Sequence, residues 1–355
     1  MNRRQFLFGT ALAAFGLSGI PAGKAWAGES GRCHLDGVRI IDIHAHPHEL
    51  FRRHSKHRVD TPTVDLLSRV GLVASGFAAV GDYTIICGNR LGSPYNNTLA
   101  QMAKVRRWTE QGYVDLILKG RDLDRRPVYG GTFGAILSVE GGDPLGRDIR
   151  RVDEFYGHGV RVITLMHYTV NDLGDTGRWA PKNNGLTRFG RRVVERMNEL
   201  GMVIDVTHAD PRTLRDAARV TTAPLIDSHT HILPSATRTK RPKRLRTWGD
   251  VEAVARTGGV VCTWPLARYS KNRPRRWTFE DWALEILEVK KRMGIDHIGL
   301  GTDGGGGLPA RIRGYRNISD LPKLAGAMLK VGLTWEDVGA YMGGNVERVL
   351  KTCLG

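Results

Sequence analysis

The stretch IDIHAHPHE, residues 41–49, places two histidines two residues apart at the end of a β-branched run. Alternate residues of a strand face the same way, so His44 and His46 can reach one ion. Alone, a His-x-His pair reads as readily as packing or surface decoration. Five more residues of metal-ligating type follow short apolar runs: Glu140 in SVEGG, His167 in TLMHYTVND, His208 in DVTHAD, His229 in DSHTH and Asp303 in GLGTDGGG. Each taken separately reads as an ordinary loop residue. Together, at six strand ends, they read as a metal centre able to activate water for hydrolysis.

Elements of one kind must bring these residues together. Apolar runs near 38–43, 77–81, 133–139, 160–166, 202–207, 224–228, 259–263 and 297–301 predict eight strands. Runs apolar on both faces suit parallel strands buried under helices. Between them, TRFGRRVVERMNELG spaces Phe189, Val193, Met197 and Leu200 on one helical stripe that ends at Gly201. Further helices are expected over 279–293, 319–331 and 335–351. Eight strands alternating with helices predict an α/β chain folded as a (β/α)8 TIM barrel, with its active site at the C-terminal strand ends. Strands two and seven offer no obvious ligand. No repeat or linker divides residues 28–355, which are expected to form one hydrolase domain.

The first 27 residues read differently. Arg3 and Arg4 precede Phe6 and Leu7, a modest apolar run follows, and Ala25-Trp26-Ala27 closes it. This is the pattern of a twin-arginine export signal cleaved after Ala27. It predicts handling by the twin-arginine translocation machinery and a periplasmic or extracellular destination. Loss of Arg3, Arg4 and Lys24 would lower the net charge from +17 to +14. Such basicity is ordinarily a solubility feature, and no nucleic-acid partner is expected. Cys33, Cys87, Cys262 and Cys353 contain no CxxC pair, so a zinc ribbon is excluded and any disulfide pairing stays open.

SVEGG, GVRVITLMHYTVND, GLTRFGRRVVERMNELGMVIDVTHAD, APLIDSH and MGGNVERVL carry a resemblance that covers nearly all of residues 28–355. The chain resembles the membrane (renal) dipeptidase family of the amidohydrolase superfamily. The resemblance implies two divalent ions, zinc in that family, sharing Glu140. It assigns His44 and His46 to one ion, and His208 and His229 to the other. It makes Asp303 the proton acceptor and His167 a substrate contact that steadies the tetrahedral intermediate. Its members commonly form homodimers.

Two departures matter. The family's usual His-x-Asp is His44-x-His46 here, which makes the first ligand set one unit more positive. The second acid of the usual Asp-x-Asp-Gly is missing from Asp303-Gly304-Gly305. The family also grips the substrate carboxylate with an arginine beyond strand six. ATRTKRPKRLRTWGD offers Arg238, Arg241, Arg244 and Arg246, and Arg241 and Arg244 are the favoured substrate-binding residues.

The chemistry implied is hydrolysis of a dipeptide by a hydroxide bridged between two cations, with a D-residue at the C-terminal side acceptable. Another amidohydrolase, such as a phosphoesterase or TatD-like nuclease, would also use His-x-His on strand one. A non-catalytic metal or ligand-binding barrel would have no use for a proton acceptor at Asp303.

Overall fold

Among the described residues ten strands form one sheet: β1 (Ile41–Asp42), β2 (Ala74–Val80), β3 (Val114–Leu116), β4 (Phe133–Glu140), β5 (Val162–Thr164), β6 (Val203–Asp205), β7 (Leu225–Ile232), β8 (Leu245–Arg246), β9 (Val260–Thr263) and β10 (Ile298–Leu300). The structure is a computed structural model that describes residues 35, 37–52, 58–88, 92–126, 128–232, 245–267 and 276–355. The export signal and the candidates Arg238, Arg241 and Arg244 lie outside these residues.

Eight strands follow one another in the order β1-β2-β4-β5-β6-β7-β9-β10, all parallel. The ring closes where Ile43 N donates to Leu300 O at 3.3 Å and Asp303 N donates to His44 O at 2.9 Å. This is the (β/α)8 barrel, and each of its strands overlaps an expected run. β3, beside β4, and β8, beside β7, were not expected. At three and two residues they are too short to show a periodic signal.

Strand alternation divides the core in two. Ile136, Val162, Val203, Ile226 and Val260 fill the barrel with Ile41, Ile43 and Cys262, plugged by Val346, Val349 and Leu350 of the last helix. Leu137, Val139, Ile163, Ile204 and Val261 face the helical layer instead. Because side chains repeat every second residue, Ser138 and Glu140 continue the inward line begun by Ile136. Thus the strand that buries Ile136 also aims Glu140 into the mouth.

The helices begin where the sequence supplies caps. Thr187 accepts from Gly190 N ahead of Arg188–Glu199, the helix expected from its apolar stripe. Thr278 with Asp281 and Thr334 with Asp337 form reciprocal caps. The expected helix over 335–351 runs in three parts, Trp335–Gly339, a wide turn at Ala340–Gly344, and Asn345–Leu354. A side chain at Gly343 would collide with Arg39 O, and Asn345 Nδ2 donates to Ile295 O and Ile298 O at 2.7 and 2.9 Å. The GGN motif is therefore a packing device. Among the described residues no helix is long and apolar enough to cross a membrane, and Cys87, Cys262 and Cys353 are free thiols.

Candidate metal centre

Glu140 is the hub of the barrel mouth. Its Oε1 lies 3.0 Å from His208 Nε2, 3.5 Å from His44 Nε2, and 3.6 Å from both His167 Nε2 and His229 Nε2. Its Oε2 lies 3.4 Å from His46 Nε2, and Asp303 Oδ1 is 3.3 Å from that same nitrogen. Every metal ligand expected from the sequence is present, together with His167 and Asp303. Glu140 and the five histidines are buried.

The backbone is bent to achieve this. His208 has φ 65° and Asp303 has φ 50°, in the left-handed region that costs a non-glycine residue energy. After Asp303 the chain turns sharply. Gly305 has φ 79°, and a Cβ there would lie 2.6 Å from His46 O; one at Gly306 would overlap the Asp303 carboxylate. The glycine run is thus demanded by the close approach of the last strand end to the first.

A layer of buried acids beneath the ligands fixes their orientation. Asp42 accepts Thr302 N at 2.8 Å and Thr302 Oγ1 at 2.6 Å, and burial pushes its pKa up to about 6 despite these bonds. Asp205 accepts Thr164 Oγ1 at 2.6 Å, Thr207 Oγ1 at 2.7 Å and Ser228 Oγ at 2.7 Å. Ser228 Oγ in turn lies 3.0 Å from His229 Nδ1. His46 Nδ1 bonds to Ala78 O at 2.9 Å, which leaves Nε2 for the mouth. Sequence reasoning missed this layer, although IIDIH, VIDVTH and LIDSH repeat an Ile-Asp pair just before each histidine.

It also missed Asp82. Strand two does contribute to the site: Asp82, fully buried just past β2, sits 2.6 Å from His167 Nδ1. The signal was no more than an acid following an apolar strand. Strand seven contributes Trp264, whose ring lies 5.0 Å from that of His229.

Arg246 has a different task from the one considered for it. It is buried, pairs with Asp227, and donates to Ala209 O and Val206 O at 2.8 and 2.7 Å. Each of its three guanidinium nitrogens makes a bond within the fold, which gives it a structural task.

The residues fit divalent cations. Burial opposes a charge on His46, but hydrogen bonds to Asp303 and Glu140 push its pKa up to about 10. Burial likewise opposes ionisation of Glu140, yet His167, His44 and His208 hold its carboxyl well below the usual range. Burial, with the charges of His44 and His208, drives His229 well down. Without an ion, protons must balance the carboxylates; an ion balances them with all imidazoles neutral. His44 Nε2 is buried with no hydrogen-bond partner, an orphan that a metal bond would satisfy. Three overlapping triads, His44/His46/Glu140, His44/His229/Asp303 and Glu140/His167/His208, keep their ligand atoms within 4.8 Å of one another.

The sequence model of the membrane dipeptidase family, peptidase family M19, matches residues 43–353. The chain belongs to the membrane dipeptidase family. Its relatives in this family include the dipeptidase tcpJ of Claviceps purpurea, 30% identical over 223 residues that make up 62% of this chain and 51% of that protein. An uncharacterised dipeptidase of Schizosaccharomyces pombe is 33% identical over 227 residues, 62% of this chain and 53% of its own length. The chain spans about half the length of the curated relatives it matches. The probable dipeptidase PvdM from Pseudomonas aeruginosa superposes with a TM-score of 0.76 at 18% identity, covering 90% of this chain and 96% of that one. A metallo peptidase from Rhodobacter sphaeroides, liganded with a phosphinate mimic of the dipeptide L-Ala-D-Ala, gives a TM-score of 0.74 at 19% identity, covering 89% and 99%. At these identities the solved structures establish the fold, which is the family's barrel.

Proposed function

We propose that this member of the membrane dipeptidase family is a metal-dependent dipeptidase that hydrolyses the peptide bond of dipeptides. One observation carries the reading: four histidines converge on Glu140 with Asp303 beside them. His44 and His46 with Glu140 would hold one divalent ion, and His208 and His229 with Glu140 a second, zinc being the first choice for imidazole and carboxylate ligands. When bound, such ions supply Lewis-acid polarisation and a water of lowered pKa.

The chain's own groups do the rest. Asp303, held at the metal edge of the mouth by its bent backbone, accepts the water proton and returns it to the leaving amine. His167 faces Glu140 through Nε2 while Asp82 holds Nδ1. Asp82 at Nδ1 fixes the ring with Nε2 towards the mouth, and His167 is assigned to the oxyanion that develops on the scissile carbonyl. Arg241 or Arg244, in the basic segment after β7, is assigned the substrate's terminal carboxylate, with its planar fork matched to two oxygens. A D-residue at the C-terminal side is included in the proposed range, supported by the ligand of the Rhodobacter sphaeroides protein.

The Arg3-Arg4 signal is proposed to send the chain through the twin-arginine machinery to the periplasm or beyond. A homodimer is proposed by family analogy. The deciding experiment is metal analysis of the purified protein combined with a dipeptide panel that includes D-residues. Full activity after exhaustive demetallation would overturn the reading.

A further inference from the structure

The rim extends outward from His167 as a stack. The Tyr168 ring lies 3.9 Å from that of His167 at 19°, and 5.7 Å from that of His208. The guanidinium of Arg178 packs on Tyr168, with Cζ 4.5 Å from the ring centroid, and lies 5.4 Å from the centroid of Trp179. Trp179 Nε1 donates to Tyr168 O at 2.6 Å, tying the two ends of this loop together. Arg178 is half-buried, and among the described residues it is paired with no carboxylate. Arginines on neighbouring loops are already engaged: Arg147 with Asp172, Arg246 with Asp227, and Arg276 with Glu285.

An aromatic face takes up the flat side of a guanidinium and leaves its N–H edge directed in plane. That edge is pre-oriented for a planar anion, and partial burial strengthens the bond it would make. Position decides which anion. In a dipeptide the terminal carboxylate lies about one residue length, roughly 3.5 Å, from the scissile carbonyl. A group that reads it must sit beside the metals, level with His167. Arg178 is set a ring's thickness farther out, behind Tyr168. A carboxylate that reaches it must be carried on a side chain.

We propose that Arg178 is a specificity-determining residue that receives a side-chain carboxylate of the substrate, so that dipeptides containing an acidic residue are favoured; this rests on the dipeptidase reading above. The test compares kcat/KM of the zinc-loaded full chain for isosteric pairs, Ala-Glu against Ala-Gln and Glu-Ala against Gln-Ala. The parent is expected to prefer the acidic member of one pair. Arg178→Gln should lower that acidic-to-neutral ratio about 10- to 100-fold, the value of a lost charge-assisted hydrogen bond, chiefly through KM. Arg178→Lys should recover part of it. A parent with no preference, or an unchanged ratio in Arg178→Gln, would overturn the proposal. An equal loss for both members of each pair would do so too, because it would mean that Arg178 only braces the loop or reads the terminal carboxylate. If the zinc-loaded parent hydrolysed none of the four dipeptides, the dipeptidase reading itself would fall, and this inference with it.

Discussion

Asp82 holds His167 from behind: its Oδ1 lies 2.6 Å from His167 Nδ1, while its Oδ2 accepts the N–H of Tyr168 at 2.9 Å. A single buried carboxylate thus sets both the ring orientation and the backbone that follows it. Asp82→Asn preserves the shape but, with one acceptor oxygen in place of two, cannot accept from both His167 Nδ1 and Tyr168 N. The expected outcome is a fall in kcat of about 10- to 100-fold with little change in melting temperature. Nitrogen NMR of His167 should show a redistributed ring proton, a change that a purely structural role would not produce.

Metal should stabilise as well as activate. Exhaustively demetallated protein is expected to hydrolyse no dipeptide and to regain activity with up to two equivalents of zinc. Ions that bind only the folded chain contribute about 2.7 kcal/mol when present at a hundred times their Kd. Thermal melts with and without zinc should therefore differ by several degrees. His208→Ala or His229→Ala should reduce the stoichiometry in elemental analysis by weakening mainly one site.

Asp303→Asn retains shape and polarity but cannot accept a proton. Loss of one general base costs about 10²–10⁴ in rate. The variant is expected to fold, to keep the ion held by His208 and His229, and to lose kcat on that scale. Parent-like turnover would remove Asp303 from its assigned role.

The Arg246–Asp227 pair should show up in stability rather than in KM. Burial raises the pKa of the Asp227 carboxyl against the pull of Arg246, so this acid depends on its partner to stay ionised. Arg246→Met leaves that carboxylate unpaired among buried groups, and a cost of about 3–5 kcal/mol is expected in denaturant unfolding.

Asp143 makes stability pH-dependent. Burial, aided by the charge of Asp82, pushes its pKa up to about 6, against hydrogen bonds from Thr169 and Asn171. The folded chain therefore holds a proton that the unfolded chain has released from about pH 4 upward. Its contribution is complete at low pH and fades as pH rises towards 6, by about 2–3 kcal/mol at most. Asp143→Asn should flatten the stability profile across that window, as read from denaturation midpoints at pH 4 to 7.

The sequence by itself was enough for the barrel and for the gathering of the candidate ligands at one rim. Both depend on local rules: alternation put Glu140 on the same face as Ile136, and runs apolar on both faces required parallel strands under helices. Each strand then delivered its terminal His, Glu or Asp to one rim without knowledge of its neighbours. Contacts between strands were decided only in the tertiary structure. Asp82 and His167 are separated by 85 residues, and nothing in GDYTIICG announces a partner for TLMHY. Arg246 looked like its basic neighbours until burial against Asp227 and two carbonyls gave each of its guanidinium nitrogens a partner. Arg178 could not be singled out among so many arginines until stacking on Tyr168 left it half-buried and, among the described residues, paired with no carboxylate. Periodicity fixes which way a side chain points; what it meets there depends on distance through space, which residue order does not encode locally.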